Sequence, residues 1–242
     1  MCMPAKPDAI ILCGGVGTRL KSVTGGGPKS MAAIAGRPFL ELLFCQLRRH
    51  GFERAILAVG YRKDVIRSEF GGHAQGLTLD YSEEILPLGT GGALRKASEL
   101  VASDTCLVMN GDSYTDARIG TFVAEHFRRA ADASLIGCPA DDRADCGWLL
   151  TDEDGRLVQF DEKNARSGQR YLNSGIYVIA KDFLFRMQPG VAISLEMEAF
   201  PRWLAEGRHI RVFADPARCI DIGTPERYWD ATRILAQAGR DQ

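Results

Sequence analysis

The strongest constraint on this chain is the passage from a short apolar run into a cluster of glycines near its start. Ala9-Ile10-Ile11-Leu12 is short and carries β-branched residues, so it predicts a fully buried first strand. Cys13-Gly14-Gly15-Val16-Gly17-Thr18-Arg19-Leu20 follows at once, and the glycines therefore stand where a strand ends. Glycine at 14, 15 and 17 frees the backbone to curl and to turn its N–H groups toward a polyphosphate. Arg19 and, within Pro28-Lys29-Ser30, Lys29 bring positive charge to the same place. A lone glycine loop is more often an ordinary turn with solvated basic neighbours. Its place after a buried strand and its two basic companions favour a phosphate loop here. Two well-known versions are excluded. A Walker A loop needs glycine directly before Lys-Ser, where Pro28 stands, and another at Val23; a dinucleotide fingerprint needs a third glycine at Leu20.

Beyond the loop, helical and strand periodicities alternate. Pro38 opens a helix with Phe39, Leu40, Leu43, Phe44 and Leu47 on one face, stopped by Gly51. Strands are expected over 54–59, 77–81, 105–109 and 133–138, with helices over 64–70, 91–100 and 119–129 between them. This rhythm predicts an α/β fold with an open, largely parallel sheet and helices on both faces. Ligands in such sheets bind beyond the carboxyl ends of the strands. The second half changes character: short strands over 148–150, 157–160 and 171–179, with Asp154-Gly155 as a hairpin turn, predict a smaller β-rich part added to the sheet. A helix over 195–206, strands over 210–213 and 218–222 and a last helix over 225–238 follow. No linker, repeat or low-complexity tract interrupts the chain, so a single domain over 1–242 is expected.

Composition narrows the partners. Apolar and charged fractions of 45% and 25% are those of a soluble globular protein. No run approaches about 18 apolar residues and the start lacks a signal-peptide layout, so a cytoplasmic location is expected. A formal net charge of −1 gives no footprint for nucleic acid or a membrane, and any polyanion must be held locally. The seven cysteines and four histidines are scattered without metal-ligand spacing, so the cysteines read as small buried hydrophobes.

Three further segments carry polar residues where ligands would lie. Asn110-Gly111-Asp112 ends a buried strand, and Asp221-Ile222-Gly223-Thr224-Pro225 lies between a strand end and a helix. Singly, Asp112 reads as a turn former and Asp221 or Thr224 as a helix cap. Glu84-Ile85-Leu86-Pro87-Leu88-Gly89-Thr90-Gly91-Gly92-Ala93 ends in glycines just before a helix, which a loop and N-cap would also explain. Phe160-Asp161-Glu162-Lys163 and 171–177, with Gly147 ahead of them, read unaided as strand ends with solvated charges.

Taken together these segments resemble those of the sugar nucleotidyltransferases (NDP-sugar pyrophosphorylases), across almost the whole chain. Within that family the similarity is strongest to the D-glycero-α-D-manno-heptose 1-phosphate guanylyltransferases, over Leu12 to Gly15, 87–93, Ser194-Leu195-Glu196 and 221–225. The resemblance implies a Rossmann-like three-layer sandwich with a mostly parallel, mixed central sheet and a small β-rich sugar-binding subregion. It divides the domain into a nucleotide-binding half (about 8–140), a sugar-phosphate part (about 141–222) and a closing helix (224–238). It further implies that Leu12, Gly14, Gly15, Gly17, Thr18, Arg19, Lys29, Glu84, Gly89, Thr90 and Gly111 bind a nucleoside triphosphate, and that Asp112 and Asp221 hold Mg²⁺. Gly147, Glu162, Lys163 and Asn173 would bind the sugar 1-phosphate, and Arg19, Lys29, Asp112, Lys163 and Asp221 would carry catalysis. Ser30 and Asn164 stand where prolines are common in the family. Glu84 stands where uridine and thymidine relatives often have Gln; a carboxylate only accepts, which suits guanine's adjacent N1–H and N2–H and points to GTP. The expected partners are GTP, a sugar 1-phosphate and a second copy of the chain as a homodimer. Mannose 1-phosphate guanylyl transfer and amino-sugar 1-phosphate uridylyl transfer are the alternatives within the class. A nucleotide-sugar-sensing subunit without chemistry is the alternative outside it.

Overall fold

The apolar run at the start of the chain becomes β1 (Asp8–Leu12), in which Ala9, Ile10 and Ile11 are fully buried. The computed structural model describes residues 6–139, 147–161 and 169–238. After a turn of 3-10 helix at Thr18–Leu20 come α1 (Lys21–Thr24), the short pair β2 (Ala33–Ile34) and β3 (Arg37–Pro38), and α2 (Phe39–Arg49). Next are β4 (Arg54–Val59), α3 (Lys63–Phe70), β5 (His73–Ala74), β6 (Leu77–Glu83), α4 (Gly89–Ala97) and β7 (Thr105–Asn110). The middle of the chain forms β8 (Ser113–Thr115), α5 (Ile119–Arg128), β9 (Ala133–Pro139), β10 (Trp148–Thr151), β11 (Leu157–Asp161) and β12 (Gln169–Ala180). It closes with α6 (Lys181–Phe185), a π-helical turn at Leu195–Ala199, α7 (Phe200–Ala205), β13 (Ile210–Ala214), β14 (Cys219–Asp221) and α8 (Pro225–Ala238).

Ten of the described strands make one mixed sheet, ordered β11-β10-β12-β7-β1-β4-β6-β5, with β9 joining β12 and β13 joining β9. β1 pairs in parallel with β4 and β7, and β4 with β6, as crossover helices demand. β12 runs antiparallel to β7, β9 and β10, so the β-rich part grows out of the main sheet rather than standing apart from it. Its register shifts between Asn173 and Tyr177, where Gly175 adopts φ +76°. Such a bulge bends a strand and re-aims its side chains. Asp154-Gly155 does form the turn of the β10–β11 hairpin, with Gly155 at φ +77°.

Alternation along β1 separates two cores. Ala9 and Ile11 face a layer holding Phe39, Leu43 and Phe44 of α2, Phe122 of α5 and Tyr228 of α8. Ile10 faces the other layer, with Leu94 of α4, Leu184 of α6 and Trp203 of α7. The helix expected over 195–206 is a π-helical turn that passes into α7. Ser194 caps it by accepting the Met197 N–H at 3.0 Å.

The carboxyl end of the sheet is closed by backbone packed on backbone. Gly111 N donates to Leu12 O at 2.9 Å, and a β-carbon on Gly111 would lie 2.6 Å from that same oxygen. Only glycine lets the chain turn from β7 toward Asp112 while staying this close to β1. Gly111→Ala should therefore lower stability by about 1–3 kcal/mol, the usual scale of an overpacked site, and depress turnover by shifting Asp112. Urea denaturation with turnover measured in parallel checks this. A parental midpoint would show that the close approach is not required.

A candidate active site at the carboxyl ends of the central strands

Where β1, β4 and β7 end, the structure opens a cleft of about 600 Å³. Leu12, Gly14, Gly15, Gly17, Thr18, Arg19, Lys29, Glu84, Gly89, Thr90, Gly111 and Asp112 all line it, although they come from four separate stretches of sequence. The loop after β1 is held at both ends. Cys13 N donates to Ala58 O at 2.8 Å, and Leu20, fully buried, donates its N–H to Gly17 O at 3.0 Å. Gly17 has φ +62°, and a β-carbon there would lie 2.8 Å from Lys29 Cβ. That glycine lets the loop and the Lys29–Met31 turn press together, and Arg19 and Lys29 both line the cleft.

The charges meet on the floor of the cleft. Lys29 Nζ donates to Asp112 Oδ2 at 2.6 Å, with the lysine side chain 15% and the aspartate 42% exposed. Asp221 lies on the neighbouring strand end. β14 pairs with β8 so that Asp221 opposes Ser113, and Ile222 N donates to Asp112 O at 3.0 Å. Asp221 Oδ1 accepts the Gly223 N–H at 2.8 Å and an Arg227 N–H at 3.2 Å. Thr224, one of the residues that reads as a cap, accepts the Arg227 N–H at the start of α8. Among the described residues no three His, Cys, Asp or Glu side chains cluster. Cys13 also lines the cleft, but burial, with Asp112 adding to it, pushes its thiol up and leaves it inert.

The 84–93 segment does more than face a ligand. Glu84 Oε2 accepts the Leu88 N–H at 2.8 Å, so one carboxylate oxygen shapes its own loop while Oε1 leans on Gly14. Burial pushes the Glu84 carboxyl up, against the pull of the Leu88 N–H and Lys96. A β-carbon on Gly89 would sit 2.6 Å from Ile193 O, and one on Gly92 2.4 Å from Val191 O. These glycines are required for packing against the 191–195 segment. Thr90 is likewise engaged inside the protein, donating to Glu196 Oε2 at 2.6 Å.

Gly147 and Asn173 lie side by side, Asn173 N donating to Gly147 O at 2.9 Å, and neither is among the residues that line the cleft. Glu162 and Lys163 lie outside the described residues. Sequence reasoning missed Tyr177 and Glu196, which connect Asn173 to Thr90. It also missed Arg227, which holds Asp221, and Tyr61, whose hydroxyl donates to Gly26 O at 3.1 Å and steadies the loop before Lys29. Tyr177 and Glu196 did lie in segments that carry the resemblance, 171–177 and Ser194-Leu195-Glu196, but without a role of their own.

The chain is similar to several known proteins. The mannose-1-phosphate guanylyltransferase of Mycobacterium tuberculosis is 37% identical over 91% of this chain, which spans 62% of that protein's length. The D-glycero-alpha-D-manno-heptose 1-phosphate guanylyltransferase of Aneurinibacillus thermoaerophilus is 32% identical over 94% of this chain and 98% of its own. Among solved structures, HddC from Yersinia pseudotuberculosis complexed with GMP-PN superposes with a TM-score of 0.83 at 33% identity, covering 95% of this chain and all of that one. The family model described as nucleotidyl transferase matches residues 8–238, and the chain belongs to that family.

Proposed function

We propose that this chain transfers a guanylyl group from GTP to a sugar 1-phosphate, with D-glycero-α-D-manno-heptose 1-phosphate the favoured acceptor, and releases pyrophosphate. The observation that carries the reading is the convergence of the glycine loop and the Lys29–Asp112 pair in one strand-end cleft, with Asp221 on the strand end that pairs beside Asp112 and Gly223 in the lining. Its likeness to guanylyltransferases supports GTP, and the near end-to-end match to the heptose enzyme supports heptose over mannose. Mannose 1-phosphate is the second reading, favoured by the 37% identity to the mycobacterial enzyme. Ile85 and Leu86, 91% and 72% exposed on the loop beside the cleft, offer an apolar wall for a base.

In this reaction an oxygen of the acceptor's phosphate attacks the α-phosphorus of GTP. The new P–O bond forms as the bond to the α,β-bridging oxygen breaks, and that electron pair departs with pyrophosphate. A phosphate monoester has its second pKa at about 6, so the attacking oxygen needs no general base. What the chain must supply is alignment and relief of charge repulsion. The N–H groups of the 14–19 loop, with Arg19 and Lys29, receive the triphosphate. Lys163 holds the acceptor's phosphate, and Gly147, Glu162 and Asn173 hold its sugar. Asp112 and Asp221 are the residues that would hold Mg²⁺. Two carboxylates with no third acidic neighbour among the described residues suit an ion that keeps waters and phosphate oxygens as its other ligands. Bound there, the ion stabilises charge on the transferring phosphoryl group. No described helix is long and apolar enough to cross a membrane, and we assign the reaction to the cytoplasm.

Asp112→Asn and Asp221→Asn should each lower turnover by on the order of 100-fold or more, because the amide weakens the hold on the metal and its phosphates. The Asp221→Asn amide oxygen can still accept the Gly223 N–H, so the fold should survive. Pyrophosphate release at limiting Mg²⁺ measures the effect, and near-parental rates in both variants would remove the metal assignment.

Base choice gives a second test. With Leu88 bound to one oxygen, Glu84 still has acceptor capacity for guanine, whereas uracil's carbonyls would face negative charge. GTP should be preferred over UTP by roughly 10-fold to 100-fold, the scale of one unmatched buried polar group. Glu84→Gln should narrow that gap, its amide oxygen keeping the Leu88 contact while its NH₂ faces the base. The measurement is the kcat/KM ratio for the two triphosphates. An unchanged ratio would remove Glu84 from base recognition, and a parental preference for UTP would overturn guanylyl transfer.

A further inference from the structure

Glu196 receives hydroxyl donors from two sides of the site. Thr90, at the start of α4 on the base-facing loop, donates to Glu196 Oε2 at 2.6 Å, and Tyr177, just past the bulge in β12, donates to Oε1 at 3.1 Å. Each hydroxyl oxygen already accepts a hydrogen bond from elsewhere. Thr90 Oγ1 accepts the Leu195 N–H at 2.8 Å, and the Tyr177 oxygen accepts from Asn173 Nδ2 at 2.8 Å. The Asn173 amide is fixed in turn, because its Oδ1 accepts the Gly175 N–H at 3.2 Å. Both hydroxyls therefore have their own proton left to give and need an acceptor. A carboxylate accepts at both oxygens, whereas an amide accepts at one and donates at the other. Glutamate satisfies this arrangement and glutamine does not.

The backbone makes the same connection. Gly91 N donates to Ile193 O at 2.8 Å and Ile193 N to Leu88 O at 2.9 Å, so the segment leading to Glu196 is strapped to the base-facing loop. Glu196 itself sits in a π-helical turn, an irregularity that often marks functional positions. Burial, with the Glu196 carboxylate adding to it, pushes the Tyr177 phenol well up, which keeps it protonated and donating.

We propose that Glu196 is a positioning residue that couples the nucleotide loop to the sugar pocket, through Thr90 on one side and Tyr177 with Asn173 on the other. The inference rests on the guanylyl-transfer reading above and adds to it that the two substrate sites are set by one shared carboxylate. Each side is held by its own oxygen of the one carboxylate, so a defect at Glu196 reaches both substrates while a defect at either donor falls on its own side.

Steady-state kinetics of the full chain, varying GTP and the heptose 1-phosphate in turn, tests this. Glu196→Gln should raise the KM for both substrates by roughly 10-fold, as expected for losing a hydrogen bond to a charged group, with a smaller change in kcat. Thr90→Val should raise the KM for GTP, and Tyr177→Phe that for the sugar phosphate. Adding either change to Glu196→Gln should do little more, because the shared contact is already gone. A Glu196→Gln protein that shifts one KM alone, or that loses thermal stability with both KM values intact, would overturn the coupling. A parent that does not turn over these substrates would overturn the transfer reading and the coupling with it. A parent that does, with the variants failing the pattern, would overturn the coupling alone.

Discussion

The site depends on how closely backbone can lie against backbone where β1, β4 and β7 end. Gly111 rests on Leu12 O, and a β-carbon on Gly60 would come within 3.1 Å of Gly14 O. These approaches bring Asp112, the glycines after β1 and the turn carrying Lys29 to one place. Side chains at those glycines would hold the elements apart and spread the charges. The 2.6 Å Lys29–Asp112 contact follows from that closeness, and with the lysine largely shielded from water its field is screened less than a surface pair would be. Asp221 arrives by a separate route, through the short β8–β14 ladder, which fixes the two aspartates on adjacent strand ends.

The parts of the fold legible in the sequence were those that one stretch of chain determines by itself. Ala9, Ile10 and Ile11 had to be buried and the glycines after them had to be a strand-end loop, so β1 and the glycine loop were readable together. The α2 face was equally explicit, because Phe39, Leu40, Leu43, Phe44 and Leu47 share a helical stripe and all become buried. β14 falls within the strand expected over 218–222, whereas the three-residue β8 left no pattern, and the pairing of the two joins residues about a hundred positions apart. The bend in β12 was hidden too, because Gly175 within an apolar run reads as a weak point in a strand and its clash partner, Asn110, is remote in sequence.

The candidate site was legible in its residue types and less so in their division of labour. Gly89 and Gly92 look like ligand-facing glycines, yet their missing β-carbons make room for the carbonyls of Ile193 and Val191. Thr90 and Glu84 line the cleft while each also holds protein atoms in place. Glu196 stood in a matching motif with no visible role until the fold brought it beside Thr90 and Tyr177. Polar residues in this site serve the arrangement of the loops as much as the ligand, and such dual use cannot be read from spacing.

The proposed transfer works by alignment and charge stabilisation in a single displacement, with no covalent protein intermediate. The cleft suits that claim, because burial keeps the Cys13 thiol protonated and the Thr90 hydroxyl is engaged with Glu196 and Leu195. The most direct measurement is the stereochemical course at phosphorus, using one diastereomer of guanosine 5′-O-(1-thiotriphosphate) with the heptose 1-phosphate and assigning the configuration of the product by ³¹P NMR. The account predicts inversion, as a single in-line attack requires. Retention, which needs two successive displacements, would contradict it.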